Sequence, residues 1–278
     1  MQNKEKITIV KADHFSPEQI LSSGQCFRME QTEENVYEVI AGDRYLRIRQ
    51  TEKPDTCLFY CGEEEYQTFW RRYFDLDGCY EAYLQKIDPA DTYLAAAAEY
   101  GSGIRILQQD LWEMILTFVI SQQNNIRRIR GIIRTLSEKY GRECRSAEGR
   151  IYYAFPAPEE FAGVSEEEFR ACGLGYRSRY FVSVVRSVLE KEVDLEAVKH
   201  MDYPEARKEL MKLCGVGGKV ADCICLFALH HLEAFPVDTH IKKVLAARYP
   251  EGFPFEKYQG FQGVLQQYIF YYDLNDKM

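Results

Sequence analysis

Residues 213–240, LCGVGGKVADCICLFALHHLEAFPVDTH, constrain the fold more than any other stretch of this 278-residue chain. A helical pattern at Ala206, Leu210 and Leu213 runs into Gly215, Gly217 and Gly218, and a second apolar helix follows at once. Glycine tolerates positive φ and lets a ligand approach the backbone, so the turn can be tight and still present its amides. At the start of a helix such amides can hold a phosphate oxygen. A tight turn without a ligand is the plainer alternative, and the flanking residues have to decide. Lys219 sits at the helix start, where the positive end of the dipole disfavours an ammonium and favours the free amine of a nucleophile. A phosphate-binding lysine is the other possibility. Asp238 follows Pro236 at what reads as the N-cap of the next helix. A helix from Lys219 to about His230 is roughly 18 Å long, and the eight residues after it can span about 26 Å, so the chain permits Asp238 to return beside Lys219. Amine, carboxylate and phosphate-binding turn together point to chemistry on nucleic acid.

The formal net charge of −8 argues at first against that partner. Distribution matters more than the sum. Between residues 126 and 145, Arg127, Arg128, Arg130, Arg134, Lys139, Arg142 and Arg145 outweigh Glu138 and Glu143. On charge alone a solvated helix face explains that run slightly better than a ligand. The nine cysteines lack paired spacing, and Cys57 and Cys61 have no second pair to complete a metal set. Reduced thiols are expected, with no metal and no cofactor. Apolar runs such as 224–229 are too short to span a bilayer, and the start MQNKEKITIV is not a leader pattern. A monomeric cytoplasmic protein is expected, nucleoid-associated if bacterial, with no membrane partner.

Residues up to about 62 read as strand-rich. Residues 36–40 lead through Gly42-Asp43 into Tyr45, Leu46 and Ile48 as a hairpin, and residues 56–60 give another strand. From Glu65 the spacing turns helical, and beyond Gly103 the chain reads as helix almost to its end. Asp110 is placed to cap one helix, and Ile126, Ile129, Ile133 and Leu136 form the stripe of another that ends near Gly141. The expected class is α+β: an N-terminal antiparallel β-sheet lobe with helices over 1–104, then a mostly α-helical region over 105–278.

LCGVGGKVADCICLFAL and PVDTH resemble the 8-oxoguanine branch of the helix-hairpin-helix (HhH-GPD) DNA glycosylase superfamily, with Cys214 where that family usually has proline. LSSGQCFRME (21–30), RILQQDLWEMILTFVISQQNNI (105–126), CGLGYRSRY (172–180) and QQYIFYYDL (266–274) resemble its segments in the expected order. The resemblance implies a bifunctional glycosylase and AP lyase acting on double-stranded DNA that contains 8-oxoguanine. Lys219 would attack C1′ of a flipped nucleotide and form a Schiff base, and Asp238 would stabilise the cationic sugar. The Gly24 carbonyl would accept from the lesion's N7–H, Cys223 and Phe270 would sandwich the base, and Gln266 would read its Watson–Crick edge. Without the resemblance, Cys223 and Phe270 read as core. Gly215, Gly217 and His240 would hold phosphates, while Asn124 and Tyr176 would help fill the gap. Gln123, Arg128 and Arg177 would face the estranged cytosine. Gln123 stands where the family usually has asparagine, and weaker opposite-base discrimination is expected.

Two alternatives remain. An alkylated-purine glycosylase of the same superfamily would lack the hairpin lysine. A non-catalytic helix-hairpin-helix DNA-binding module would not need Gly24, Lys219, Asp238 and Phe270 together. The iron–sulfur branches need four cysteines after the aspartate, and none follows Cys225.

Overall fold

Alternating β-branched and aromatic residues before position 62 build one antiparallel sheet of five strands: β1 (Thr8–Lys11), β2 (Met29–Glu33), β3 (Val36–Ala41), β4 (Arg44–Gln50) and β5 (Thr56–Phe59), in the order β1-β5-β4-β3-β2. The computed structural model describes residues 6–275, so the polar start at 1–5 lies outside it. The expected hairpin is β3–β4, where Ala41 pairs with Arg44 and Gly42 turns the chain at φ 58°. Helix α1 (Pro17–Ser22), capped by Ser16 with Pro17 in its first turn, packs over this sheet and carries the chain to Gly24. Then α2 (Glu63–Glu65) runs through a π turn at Tyr66–Trp70 into α3 (Arg71–Tyr73), with Phe74 packed on Phe59 and the buried Trp70 packed on Phe74. That is the smaller core.

The larger core is helical. It takes in α4 (Tyr80–Leu84), α5 (Thr92–Tyr100), α6 (Leu111–Ser121), α7 (Ile126–Tyr140), α8 (Glu166–Phe169), α9 (Ser178–Leu189), α10 (Leu195–Val198), α11 (Tyr203–Leu210), α12 (Gly218–Phe227), α13 (Thr239–Arg248) and α14 (Gln262–Asn275). Helix α6 is buried along residues 111–120, so it forms the spine of this core and α12 packs beside it, with Phe118 stacked on Phe227 at 5.6 Å. Residues 80–98 pack here with the end of the chain, Tyr100 meeting Tyr271 at 5.3 Å. Residues before position 104 thus also contribute to the helical core.

One expectation needs correction. Beyond Gly103 the chain is not helical throughout, because β6 (Glu143–Arg145) and β7 (Ile151–Tyr153) form a second sheet. The cause is tertiary. Tyr152 packs on Tyr45 and its hydroxyl donates to the Asp43 carbonyl at 2.7 Å, which ties this hairpin to the β3–β4 turn.

Two segments weld the lobes where the site will lie. Arg105, almost fully buried, donates to the carbonyls of Asp13, His14, Asp75 and Gly78. Gln25 exchanges bonds with the same stretch: its Nε2 donates to Arg105 O at 2.9 Å, and its Oε1 accepts from Leu107 N at 2.8 Å. A buried arginine or amide left unsatisfied would be costly, so this pairing holds Gly24 against the helical lobe.

Candidate active site

The hairpin between α11 and α12 uses its glycines differently. Gly215 has φ 84°, and a Cβ there would lie 2.8 Å from the Tyr180 ring. Gly217 has an ordinary extended backbone at φ −89° and open space around it, so positive φ is not its reason for being glycine. The first bond along α12 runs from Ala221 N to Gly217 O at 2.9 Å, and no side chain caps this helix. The amides at 218–220 precede that bond and remain available. By contrast Asp110, Asn125 and Asp238 cap α6, α7 and α13 with their side chains. An uncapped helix start beside a glycine turn suits an anion.

Lys219 is half-buried at the first turn of α12, with Nζ 5.6 Å from the centroid of the Phe118 ring. Burial pushes the Cys223 thiol up, while the charge of Lys219 and its hydrogen bond to the thiol pull it partly back. The Asp238 carboxylate acts on the same thiol and raises it further. Lys219 and Asp238 thus both lie within electrostatic reach of Cys223, and among the described residues they form no direct ion pair. The long loop does bring them back together: α12 ends at Phe227, shorter than expected, and Asp238 caps α13 by accepting from Ile241 N at 2.8 Å.

Gly24 and Phe270, far apart in sequence, also meet. Gly24 has φ 77°, and a Cβ there would lie 3.3 Å from the Phe270 ring. Phe270 packs edge-on to His240 at 5.6 Å, and His240 Nε2 lies 2.9 Å from Asp273 Oδ2. Gln266, one turn before Phe270 on α14, is buried, with its Oε1 accepting from Gln267 Nε2 at 2.9 Å. The α1–β2 connection, α12, α13 and α14 therefore all supply residues to one place.

On the adjoining face, Asn124 Nδ2 donates to Ile120 O at 3.1 Å and Arg128 Nη2 to Gly173 O at 3.2 Å. Tyr176 is exposed and packs edge-on to Tyr180. Gln123 adopts φ 47°, a left-handed backbone that asparagine tolerates better than glutamine. Arg177, which by the resemblance would face the estranged cytosine, packs inward. It is 3% exposed, and its guanidinium donates to the carbonyls of Gln122, Gln123 and Leu174. In this conformation it buttresses the loop that carries Gln123.

Sequence reasoning missed Phe118, Gln25, Gln122 and Asp273. Phe118 is one of eight apolar residues on α6, and nothing in that run marks it. A cavity of about 450 Å³ lies elsewhere, between the five-stranded sheet, α7 and β7. Most of its charges are spent on each other: Arg150 pairs with Glu30 and Glu38, and Arg134 lies 3.6 Å from Glu30. The candidate site is instead the open surface where four segments converge.

The family model of the 8-oxoguanine DNA glycosylase N-terminal domain matches residues 7–115, and that of the HhH-GPD superfamily base excision DNA repair protein matches 116–250. The N-glycosylase/DNA lyase of Saccharomyces cerevisiae is 30% identical over 254 residues, which cover 83% of this chain and 67% of that protein. This chain belongs to the 8-oxoguanine DNA glycosylase family. The Arabidopsis thaliana N-glycosylase/DNA lyase OGG1 is 31% identical over 236 residues, 80% of this chain and 63% of that protein. The chain thus spans about two thirds of the length of these two relatives. The Clostridium acetobutylicum 8-oxoguanine glycosylase/lyase, solved with double-stranded DNA containing cytosine opposite 8-oxoG, superposes with a TM-score of 0.92 at 34% identity, covering 100% of this chain and 98% of that one. The 3-methyladenine DNA glycosylase of Archaeoglobus fulgidus, at 20% identity and a TM-score of 0.72, shares the fold alone.

Proposed function

We propose that this protein is a DNA glycosylase with AP lyase activity that removes 8-oxoguanine from duplex DNA, acting as a monomer in base excision repair. The observation that carries this reading is the convergence of Lys219, Cys223 and Asp238 at the uncapped start of α12, with Gly24 against Phe270. The hairpin amides grip a phosphate, and the target nucleotide is extruded toward α14, at a cost of a few kcal/mol in stacking and pairing. The neutral amine of Lys219 attacks C1′, and the glycosidic electrons leave with the base. Asp238 stabilises the cationic sugar as that bond breaks. Loss of a proton from the nitrogen and opening of the sugar ring at C1′–O4′ give the Schiff base, which acidifies C2′, and β-elimination then breaks the C3′–O bond. Gly24 O accepts from the N7–H that 8-oxoguanine has and guanine lacks, while Cys223, Gln266 and Phe270 contact the base. Gly215, Gly217 and His240 hold the lesion strand. Asn124, Tyr176, Arg128 and Arg177 meet the opposite strand together with Gln123.

Borohydride trapping on an 8-oxoguanine duplex tests the reading. The protein is expected to form a covalent adduct, and Lys219→Ala is expected to lose it while still binding the duplex. Binding without any adduct in the unaltered protein would favour a non-catalytic module instead. Release of 3-methyladenine in preference to 8-oxoguanine would favour the alkylated-purine reading.

A further inference from the structure

A glutamine that takes no part in the chemistry above joins three separate segments beside it. Gln122 follows the last turn of α6 with an extended backbone, and its Nε2 donates to Gly215 O at 2.9 Å, in the hairpin. Its own carbonyl accepts from the Arg177 guanidinium, Nε lying at 3.1 Å, so the turn at 173–177 is tied to the same residue. Arg177 Nη2 also donates to Gln123 O at 3.2 Å. Gln122 is thus bonded, by side chain and by backbone, to the turn that carries the phosphate-facing amides and to the arginine that supports the Gln123 loop. No other residue bridges the two in this way among the described residues.

The loop needs such a support. Gln123 sits at φ 47°, and a non-glycine residue in the left-handed region is held there only when its surroundings over-determine it. Here the carbonyls on both sides of that strained link, of Gln122 and Gln123, are pinned by Arg177, while the Gln122 side chain anchors the link to Gly215. The anchor requires a donor, because a carbonyl can only accept. Hydrophobic packing at this position would not replace it.

We infer that Gln122 is a positioning residue that sets the register between the hairpin and the Gln123 loop, and thereby tunes how strongly the enzyme prefers one base opposite the lesion. The inference rests on the function proposed above, in which those two surfaces meet opposite DNA strands. A shift of the loop relative to the hairpin moves Gln123 and Arg177 with respect to the opposite base but leaves Lys219, Asp238 and the lesion pocket in place.

The test compares the unaltered protein with Gln122→Glu, which keeps the shape but sets a carboxylate oxygen against Gly215 O, and with Gln122→Met, which keeps the volume without a donor or a charge. Single-turnover excision is measured with C, A, G and T opposite 8-oxoguanine, alongside thermal melting. In both variants the ratio of the rate opposite C to the rate opposite A is expected to change by about three- to tenfold, the span of one hydrogen bond. Borohydride trapping on a pre-formed abasic duplex is expected to stay within about twofold. Rates that fall by one common factor, with the ratio intact, would reduce Gln122 to a stabilising residue and overturn the inference. Failure of the functional reading appears elsewhere, as an unaltered protein that excises 8-oxoguanine opposite none of the four bases.

Discussion

Two glycines of one hairpin separate backbone strain from access to a ligand. Gly215 combines φ 84° with a Cβ position 2.8 Å from the Tyr180 ring, whereas Gly217 is extended and faces open space. Gly215→Ala must pay for the left-handed backbone and displace Tyr180, together about 1–3 kcal/mol. A lower melting temperature and at least about tenfold weaker duplex binding are expected, because the misplaced turn loses its phosphate contact. Gly217→Ala is expected to leave stability within about 0.5 kcal/mol. Its effect should fall on binding alone, measured by titration of a labelled duplex, since a methyl there stands between the α12 amides and a phosphate. If the two variants melt alike, the assignment of strain to Gly215 is wrong. Gln123 shows the same physics without glycine: its left-handed φ is sustained by the Arg177 bonds to its neighbours rather than by its own side chain.

At the level of elements, helix starts sort into those that cap themselves and those that leave amides free. Helices α6, α7 and α13 are capped by Asp110, Asn125 and Asp238, and α12 is not. Asp238 caps the first turn of α13, and in the proposed mechanism it also supplies a carboxylate to the site. The two roles can be separated, because asparagine caps a helix about as well as aspartate but carries no charge. Asp238→Asn is expected to keep its melting temperature and duplex affinity while losing excision by two orders of magnitude or more, roughly 3 kcal/mol of transition-state stabilisation. Asp238→Ala should lose the cap as well, at about 1 kcal/mol. Thermal melts and single-turnover excision measure both, and full excision by Asp238→Asn would remove the carboxylate from the mechanism.

Across the whole molecule, buried polar contacts join the two lobes. Glu113 on α6 pairs with Arg28, just before β2, at 3.4 Å, and Arg28 also donates to the Tyr153 carbonyl. Burial pushes the Glu113 carboxyl up to about 7, although Arg28 pulls it down. A folded-state value above the ordinary 4.5 means that the native protein takes up this proton more readily than the unfolded chain. The stability it contributes is complete below pH 4.5 and is lost as pH rises through about 7. By pH 8 the loss amounts to about 3 kcal/mol. Glu113→Gln removes the titration, so denaturant melts of the variant should vary less between pH 5 and pH 8 than those of the parent. A parallel pH dependence in the two proteins would show that Glu113 does not govern it.

The elements that carried a strong local signal were legible in the sequence. The β3–β4 hairpin follows from alternation around Gly42, α7 from its isoleucine stripe, and the starts of α6 and α13 from Asp110 and Asp238. The hairpin motif also placed Lys219 at the start of α12 and Asp238 at the cap of α13. What local pattern could not carry was anything decided by a partner distant in the chain. The β6–β7 hairpin exists because Tyr152 finds Tyr45 and Asp43. Arg177 is buried because carbonyls at 122, 123 and 174 surround it. Gln122 looks like any polar residue after a helix until Gly215 appears beside its amide. The opening hairpin could by itself specify a turn, an amine and the start of a helix, since those depend on neighbouring residues. Which surfaces that turn is locked to, and so how the two faces of the site are held in register, only tertiary structure decided, through single hydrogen bonds that leave no periodic trace in sequence.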